Sequence, residues 1–595
     1  MTVTRVTIIF NSREGEIMIE KWFCDWTPSE RWPHYTRANA GEVLATPATP
    51  LGQTYSWENA MLQGWRDGYV RTGNIAEGEM AQVRPEAVGF FGGYFYINLS
   101  NVRMQGVRNP ALTVEQLDMA FFGDHPDVPP YEPHPDDDRP DLVDGINAHT
   151  GWIMSLNEWP ELDQGREETI ALRANRPDIS STPSSELLVR IREIQPLHHS
   201  GFTLHCLTSS GSGLAPGLLF AVGEAIGDPT MPMKVLAGLG SVDSAEPSFV
   251  LWDISRKVRN SETLTGEFDA GVEGLLDRLD SSDSSDVTDF LNDWNDFIFR
   301  FGCRGPNEWE VSANSWETRP ELALALLDRV RLQDDSEAPE IRQSAKTVER
   351  QEVIESVRST LAEMGNEELI GMFEGALVAG NMMEYRERTK TNLVRVINES
   401  RVIFYELGNR MANEGHLKEA THIFMLLDEE LESFVSNPSD FTDQLAQRAN
   451  DYEQLWTIEP PFFVKDGIVP PMTEWEVRGE EEMQAASSGE VLQGVPGCSG
   501  IYRGKARVVT DPADPRGLEP GEILVAPLTD PAWTPLFMTA GAVVVNVGGQ
   551  ISHAVIVSRE LGLPCVVAAT DATKRIPDGA EIEVNGDTGQ VTLVS

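Results

Sequence analysis

The 595-residue sequence holds 94 Asp and Glu against 47 Lys and Arg, a formal net charge of −47, with 41% hydrophobic and 8% aromatic residues. That length accommodates about three to five globular domains, each able to bury a core, while the acidic excess excludes nucleic acid and anionic membrane as main partners, because both select Lys/Arg clusters. The five cysteines (Cys24, Cys206, Cys303, Cys498, Cys565) are far apart and odd in number, which predicts reduced thiols rather than a disulfide framework. With no run of about 18 uncharged apolar residues, a cytoplasmic location is expected.

Residues 1–122 mix strand-like runs, Val3–Phe10 and Phe90–Leu99, with aromatic, Pro and Gly punctuation, predicting a mixed α/β part. Gly89-Phe-Phe-Gly92-Gly93 lacks the Lys-Ser/Thr partner of a phosphate loop and reads as a turn. The stretch 123–145 is too rich in Pro and Asp for a helix or a central strand and is expected to be a long loop. From 146 to 471 apolar residues recur three and four apart, as in Glu186–Ile194, Pro320–Leu332 and Asn392–Met411, which predicts a mainly helical domain. Its histidines His198, His199 and His205 lack a carboxylate or thiolate at zinc spacing, so no metal site is expected. The polar stretch 472–490 reads as a hinge linker. Residues 491–595 alternate short β-rich runs with Gly, Pro and Asp, predicting a compact α/β domain of roughly 105 residues. The expected fold class is thus multidomain α+β, a large mainly helical body followed by a smaller C-terminal domain.

The segment Val543 to Pro564 parses as strand, glycine turn, helix and stop. Ser552 is the expected N-cap, His553 the first helical residue, and Gly562 with Pro564 the C-terminal stop. An imidazole placed there meets free amide groups and the positive end of the helix dipole, and Gly548-Gly549 lets a phosphate approach the backbone. The arrangement suits a phosphorylated histidine, with Gly548, Gly549, Ser552 and Arg559 as candidate phosphate-binding residues and His553 as the nucleophile.

This segment resembles the phosphohistidine domain of the phosphoenolpyruvate-utilising enzyme family, whose signature reads close to G-G-x-x-S/T-H-x-A-I-x-x-R-E-x-G-x-P; Val555 and Asn546 depart from it. Gly494 to Gly500, Gly504 to Val508, Gly521 to Pro531, and Asp578 to Gly589 resemble the flanking parts of that domain. The resemblance implies a swivelling β/β/α domain that carries a phosphohistidine intermediate between two stations.

The preceding body is similar, over Tyr35 to Leu51, Phe301 to Glu308 with Trp316, and Arg386-Glu-Arg-Thr-Lys390, to rifampin phosphotransferase and to the large subunit of phenylphosphate and cresol synthases. Arg386 and Lys390, four apart on one helix face, can hold a transferring phosphoryl group, a role the resemblance also implies for them. Arg304, Glu308 and Arg37 are further candidates for substrate or phosphate contact. No Walker-type motif and no ATP-grasp or phosphoenolpyruvate-barrel segment is recognised. The resemblance therefore implies that a separate ATP-grasp subunit binds ATP and Mg²⁺ and phosphorylates His553, which passes the group to a small aromatic alcohol such as phenol or cresol; the alternatives are a rifampin-phosphotransferase-like kinase for a larger alcohol or antibiotic, and a non-catalytic phosphohistidine carrier.

Overall fold

The helical body is organised by two long helices, Ser184–Ser212 and Asn381–Asn413. In the computed structural model that describes residues 19–110, 113–122, 127–240, 242–478, 484–510, 517–529, 533–549 and 552–594, these two form the largest helix–helix contact. Asn381–Asn413 has 33 residues and so runs for about 50 Å. Every residue from Thr389 to Phe404 is buried, the signature of a helix enclosed on all sides. Its polar groups must then be paired inside the protein: Arg401, for example, donates to the carbonyls of Glu308 and Glu310 at 2.8 and 2.9 Å.

The helix Leu62–Thr72 lies close against Ser184–Ser212 because two of its facing residues have no side chain. A Cβ at Gly64 would stand 2.3 Å from the His199 carbonyl oxygen, and one at Gly68 2.5 Å from the Cys206 Cβ. The apolar run through 184–226 is the one described stretch long and apolar enough to cross a membrane, yet more than half of its apolar window is packed inside the bundle. The expected loop at 123–145 ends sooner than its composition suggested, since Pro140 and Leu142 open a turn that leads directly into the helix Val143–Met154. Pro at a helix start loses no hydrogen bond, so the residue taken as a breaker acts as an initiator.

Four short strands stand beside the bundle in the order β2-β3-β1-β5, with β1 Tyr35–Thr36, β2 Val88–Phe91, β3 Tyr94–Asn98 and β5 Phe463–Val464; β4 Ile458–Glu459 pairs separately with β6 Glu476–Val477. The run 90–99 is therefore a hairpin arm rather than one strand, and Gly92 and Gly93 turn it with φ of 57° and 75°, a conformation that favours glycine. The strand expected at Val3–Phe10 lies outside the described residues.

The C-terminal domain is an eight-stranded sheet in the order β7-β14-β13-β9-β10-β11-β12-β8. Its strands are β7 Val491–Gln493, β8 Val495–Cys498, β9 Ile501–Val508, β10 Ile523–Ala526, β11 Ala542–Val545, β12 Cys565–Val567, β13 Glu581–Asn585 and β14 Gln590–Leu593. The central β9 to β12 are parallel, and β10, β11 and β12 are buried along their full length, as their uninterrupted apolar sequences require. Two helices on one face, α1 Thr534–Thr539 and α2 His553–Leu561, complete the layer.

This domain is seated on the body through a shared apolar core. Leu251, Phe297, Trp316 and Leu324 of the body cluster with Leu536, Phe537, Val543 and Val555 of the domain. The polar stretch 472–490 is anchored at both ends instead of running free throughout. Met472 and Trp475 are buried in the body core, while Ala486 and Gly489 donate backbone hydrogen bonds to Arg575 and Leu593, each at 2.8 Å. The middle of this stretch, 479–483, lies outside the described residues.

Candidate active site

His553 occupies the first position of α2, with Ser552 in extended conformation before it, as the strand–turn–helix reading expects. The imidazole is 4% exposed. Its Nδ1 is 3.1 Å from the Thr529 hydroxyl and its Nε2 3.1 Å from that of Thr534, the first residue of α1. Phe537 presents an edge-to-face ring at 5.8 Å. Two hydroxyls, each able to donate or accept, match the one N–H and one lone pair of a neutral ring.

Ser552 fills the N-cap position but its hydroxyl makes no capping bond. Instead its Oγ is enclosed beneath the glycine turn, 3.0 Å from where a Gly548 Cβ would stand, and has no hydrogen-bond partner among the described residues. Gly548 has φ +151°, so its backbone reaches a shape that a side chain would strain and fill. Gly549 accepts from the Ser552 amide at 3.0 Å. These three residues leave a hydroxyl and the first amides of α2 facing the imidazole's end of the helix, groups suited to phosphate oxygens.

From the body, Arg386 and Lys390 project from Asn381–Asn413 as their spacing predicts, and Arg304 and Glu308 join them. Arg304 forks onto Glu308 at 3.1 and 3.2 Å and donates to the Thr391 hydroxyl at 2.6 Å. Lys390 lies 3.8 Å from the same Glu308, and Arg386 binds Glu387 at 2.7 Å. Burial pushes the His553 pKa well below its ordinary value, and Lys390, Arg304 and Arg386 push it further in the same direction. The imidazole is therefore neutral near pH 7, lone pair available, and three cations stand where a phosphoryl group on it would need charge neutralised. Among the described residues no group of three or more His, Cys, Asp or Glu is arranged to hold a metal ion.

Three groups with no role in the sequence reading also converge here. Glu42, on the one-turn helix Ala40–Val43, feels Arg386 and Lys390, which oppose the rise in its pKa to about 7 that burial causes. Its Oε1 is enclosed without a hydrogen-bond partner among the described residues. His205 is held neutral by burial and by Arg386 and Lys390, and its Nδ1 meets the Thr389 hydroxyl at 3.0 Å. Glu387 is buried, but Lys390 and Arg386 outweigh its desolvation and keep its pKa below the usual carboxylate value. Glu42 and Glu387 stood inside stretches that the sequence singled out; Thr534 and His205 carried no signal beyond their residue type.

Two candidates bind backbone carbonyls. Arg37 donates to the carbonyls of Phe95, Leu44 and Ala45 and stacks on Tyr94 and Tyr96. It fixes the turn that carries Glu42, because a buried guanidinium must spend its donors on carbonyls that strands and short helices leave open. Arg559 sits six residues beyond His553 on α2 and donates to the Gly497 carbonyl at 3.0 Å. At 100° per residue that places it on another face of the helix, and burial among Cys498 and Cys565 lowers its pKa to about 10.

Both parts of the chain have matches among known proteins. Residues 518–589 match the family described as PEP-utilising enzyme, mobile domain, and residues 205–387 match the rifampicin phosphotransferase fourth domain. The chain is 29% identical over 370 residues to the rifampicin phosphotransferase of Streptomyces sviceus, covering 60% of this chain and 41% of that protein. It is 24% identical over 617 residues to the prodigiosin synthesizing transferase PigC of Serratia marcescens, covering 96% and 64%. An uncharacterized protein of Mycobacterium tuberculosis is 33% identical over 299 residues, covering 49% and 30%. The chain thus spans between 30% and 64% of the length of these relatives.

Proposed function

The chain belongs to the phosphoenolpyruvate-utilising enzyme family, and from that premise we propose that it is a phosphotransferase whose His553 carries a phosphoryl group from ATP to the hydroxyl of a small phenol. In this reading a separate ATP-grasp subunit, with Mg²⁺, charges His553, and the C-terminal domain then seats on the body as the structure has it. The observation that carries the reading is the buried imidazole at the N-terminus of α2, close enough to Lys390, Arg304 and Arg386 for all three to depress its pKa. Neutral and buried, His553 is a competent nucleophile toward the donor. Once phosphorylated it is a competent leaving group toward the acceptor, because the cations offset charge on the phosphoryl oxygens while the N–P bond breaks. The setting of this chemistry is the cytoplasm.

A larger alcohol or antibiotic as acceptor is the second reading, favoured by the match of residues 205–387, which include Arg304 and Arg386, to a rifampicin phosphotransferase domain. The test is mass spectrometry after incubation with ATP, Mg²⁺ and an ATP-grasp protein, followed by a chase with phenol. We expect an acid-labile phosphate on the His553 peptide that phenol or cresol discharges as aryl phosphate, and none in His553→Ala, which should keep its fold. Discharge by rifampicin alone would move the assignment to the second reading, and turnover by His553→Ala would sink both.

A further inference from the structure

An acceptor hydroxyl must lose its proton as its oxygen bonds to phosphorus, and two carboxylates of the cluster, Glu42 and Glu387, each hold an enclosed oxygen that no donor among the described residues meets. Glu308 is committed to Arg304 through both oxygens, at 3.1 and 3.2 Å. Glu387 is committed to Arg386 through its other oxygen, at 2.7 Å, and is held below the usual carboxylate range. His205 is engaged at both ring nitrogens, by Thr389 at 3.0 Å and Ser209 at 3.4 Å. Glu42 differs, since its Oε1 is enclosed without a donor and, among the described residues, no cation is ion-paired with its carboxylate. A buried carboxylate oxygen without a donor is costly and rare, and a hydroxyl brought to that spot would satisfy it.

Position supports the same role. Glu42 extends from a turn that Arg37 ties to the carbonyls of Leu44 and Ala45, at 2.9 and 3.3 Å, so the carboxylate is presented by a fixed backbone. The charges acting on it are those of Arg386 and Lys390, from the long helix of the body. The same two side chains also act on His553. Carboxylate and imidazole, from separate parts of the chain, thus feel the same cation pair.

We propose that Glu42 is the catalytic proton acceptor for transfer from His553 to the acceptor. The hydroxyl oxygen forms the new O–P bond, the N–P bond to the imidazole breaks with its electron pair returning to the ring nitrogen, and the hydroxyl proton passes to the Glu42 carboxylate. Glu42 releases that proton to solvent when the product leaves. Arg386 and Lys390 serve both ends, neutralising the phosphoryl oxygens and holding the carboxylate ionised against its desolvation. With burial raising the Glu42 pKa to about 7 and the two cations opposing the rise, it is basic enough near neutral pH to take the proton and acidic enough to give it up. Besides Arg386 and Lys390, the charged group nearest its turn is Arg37, whose guanidinium nitrogen lies 3.7 Å from where a Gly41 Cβ would stand.

This assignment rests on the proposed function, and the experiment separates the two. Wild type and Glu42→Gln are charged on His553 with phosphoramidate, which needs no partner protein, and then chased with phenol between pH 5.5 and 9. We expect equal phosphate on His553 in both, and discharge slowed roughly 100-fold or more in Glu42→Gln. The wild-type rate should rise with pH through about 7, the Gln variant should lose that rise, and Glu42→Asp should recover part of the rate. Equal discharge with the same pH profile in Glu42→Gln would overturn the assignment while leaving the phosphohistidine reading intact. Failure of wild type to take or pass on the phosphate would fall on the proposed function instead. In that case infrared difference spectra of wild type against Glu42→Gln still decide: loss of a carboxyl proton near pH 7 is expected, and a carboxylate ionised throughout would overturn the assignment without any turnover.

Discussion

Lys390 is 8% exposed and shares Glu308 with Arg304, so two cations divide one carboxylate and charge remains to be met. A phosphoryl group on His553 supplies it, and this makes the docked site complementary to the phosphorylated protein more than to the free imidazole. Replacing Lys390 by Met removes the largest charge effect acting on His553, leaving burial as the main cause of its low pKa. Its pKa should therefore move up toward the ordinary value, by a shift visible in an NMR titration of the imidazole. Charging by phosphoramidate should persist while discharge to phenol slows; an unmoved titration would mean that Lys390 does not face the ring. The Arg386 and Lys390 spacing was legible because helix geometry alone sets which residues share a face. Glu42 was not, since it meets those cations only through tertiary packing across more than three hundred residues of chain. Arg37 and Arg559 show a use that residue type does not announce: arginines inside a functional motif also satisfy buried carbonyls.

At the next scale, one turn of α2 joins the two halves of the molecule. Glu560, 1% exposed, accepts from the backbone amides of Leu239 and Gly240, both at 3.0 Å, one to each carboxylate oxygen. Beside it the Lys346 side chain, from the helix Pro339–Met364, would lie 3.1 Å from a Cβ at Gly562. Because His553 and Glu560 are seven residues apart, two turns of one rigid helix, they lie on nearly the same face, and anchoring the second holds the first among the cations. Glu560→Gln replaces one acceptor oxygen with an N–H₂ that opposes a backbone N–H. It should loosen the docked arrangement by about 1.5–3 kcal/mol, the range for hydrogen bonds to a charged group. Hydrogen exchange should quicken at Leu239 and Gly240 and stay unchanged in β10 and β11; unchanged exchange at the two amides would show that the apolar contact alone sets the seating. The sheet was legible strand by strand from apolar runs parted by glycine and proline, but its docking was not. Leu324 and Val543 each read as core residues of their own domains, and nothing in periodicity shows that they share one core.

For the whole molecule the governing quantity is the excess of acid over base. Residues 491–595 hold seven Lys and Arg against eleven Asp and Glu, so residues 1–490 carry −43 of the total −47. Even if every one of the 47 cations were paired, half of the 94 carboxylates would have no cationic partner, and the compact state brings them closer together than the unfolded chain does. Salt acts on two opposed effects. It weakens exposed ion pairs such as Arg358 with Glu355 and Glu374, at 2.9 and 2.7 Å, but pairs of that kind contribute only about 0–1 kcal/mol each. It also screens the repulsion among the remaining carboxylates, which acts over distances comparable to the screening length of about 10 Å at 0.1 M. Repulsion should win, because paired charges are bounded by the smaller set and repelling charges are not. Of the site cations, Arg304 and Lys390 are buried and largely insulated from this screening, and Arg386 is partly so. Raising NaCl from about 20 to about 200 mM, a range over which the screening length falls severalfold, should therefore raise the Tm by about 2 °C or more. The two net-negative parts of the chain repel each other as well, so the same step should slow exchange at Leu239 and Gly240. A Tm that falls as salt is added would mean that specific ion pairs, and not the acidic excess, set the stability of this fold.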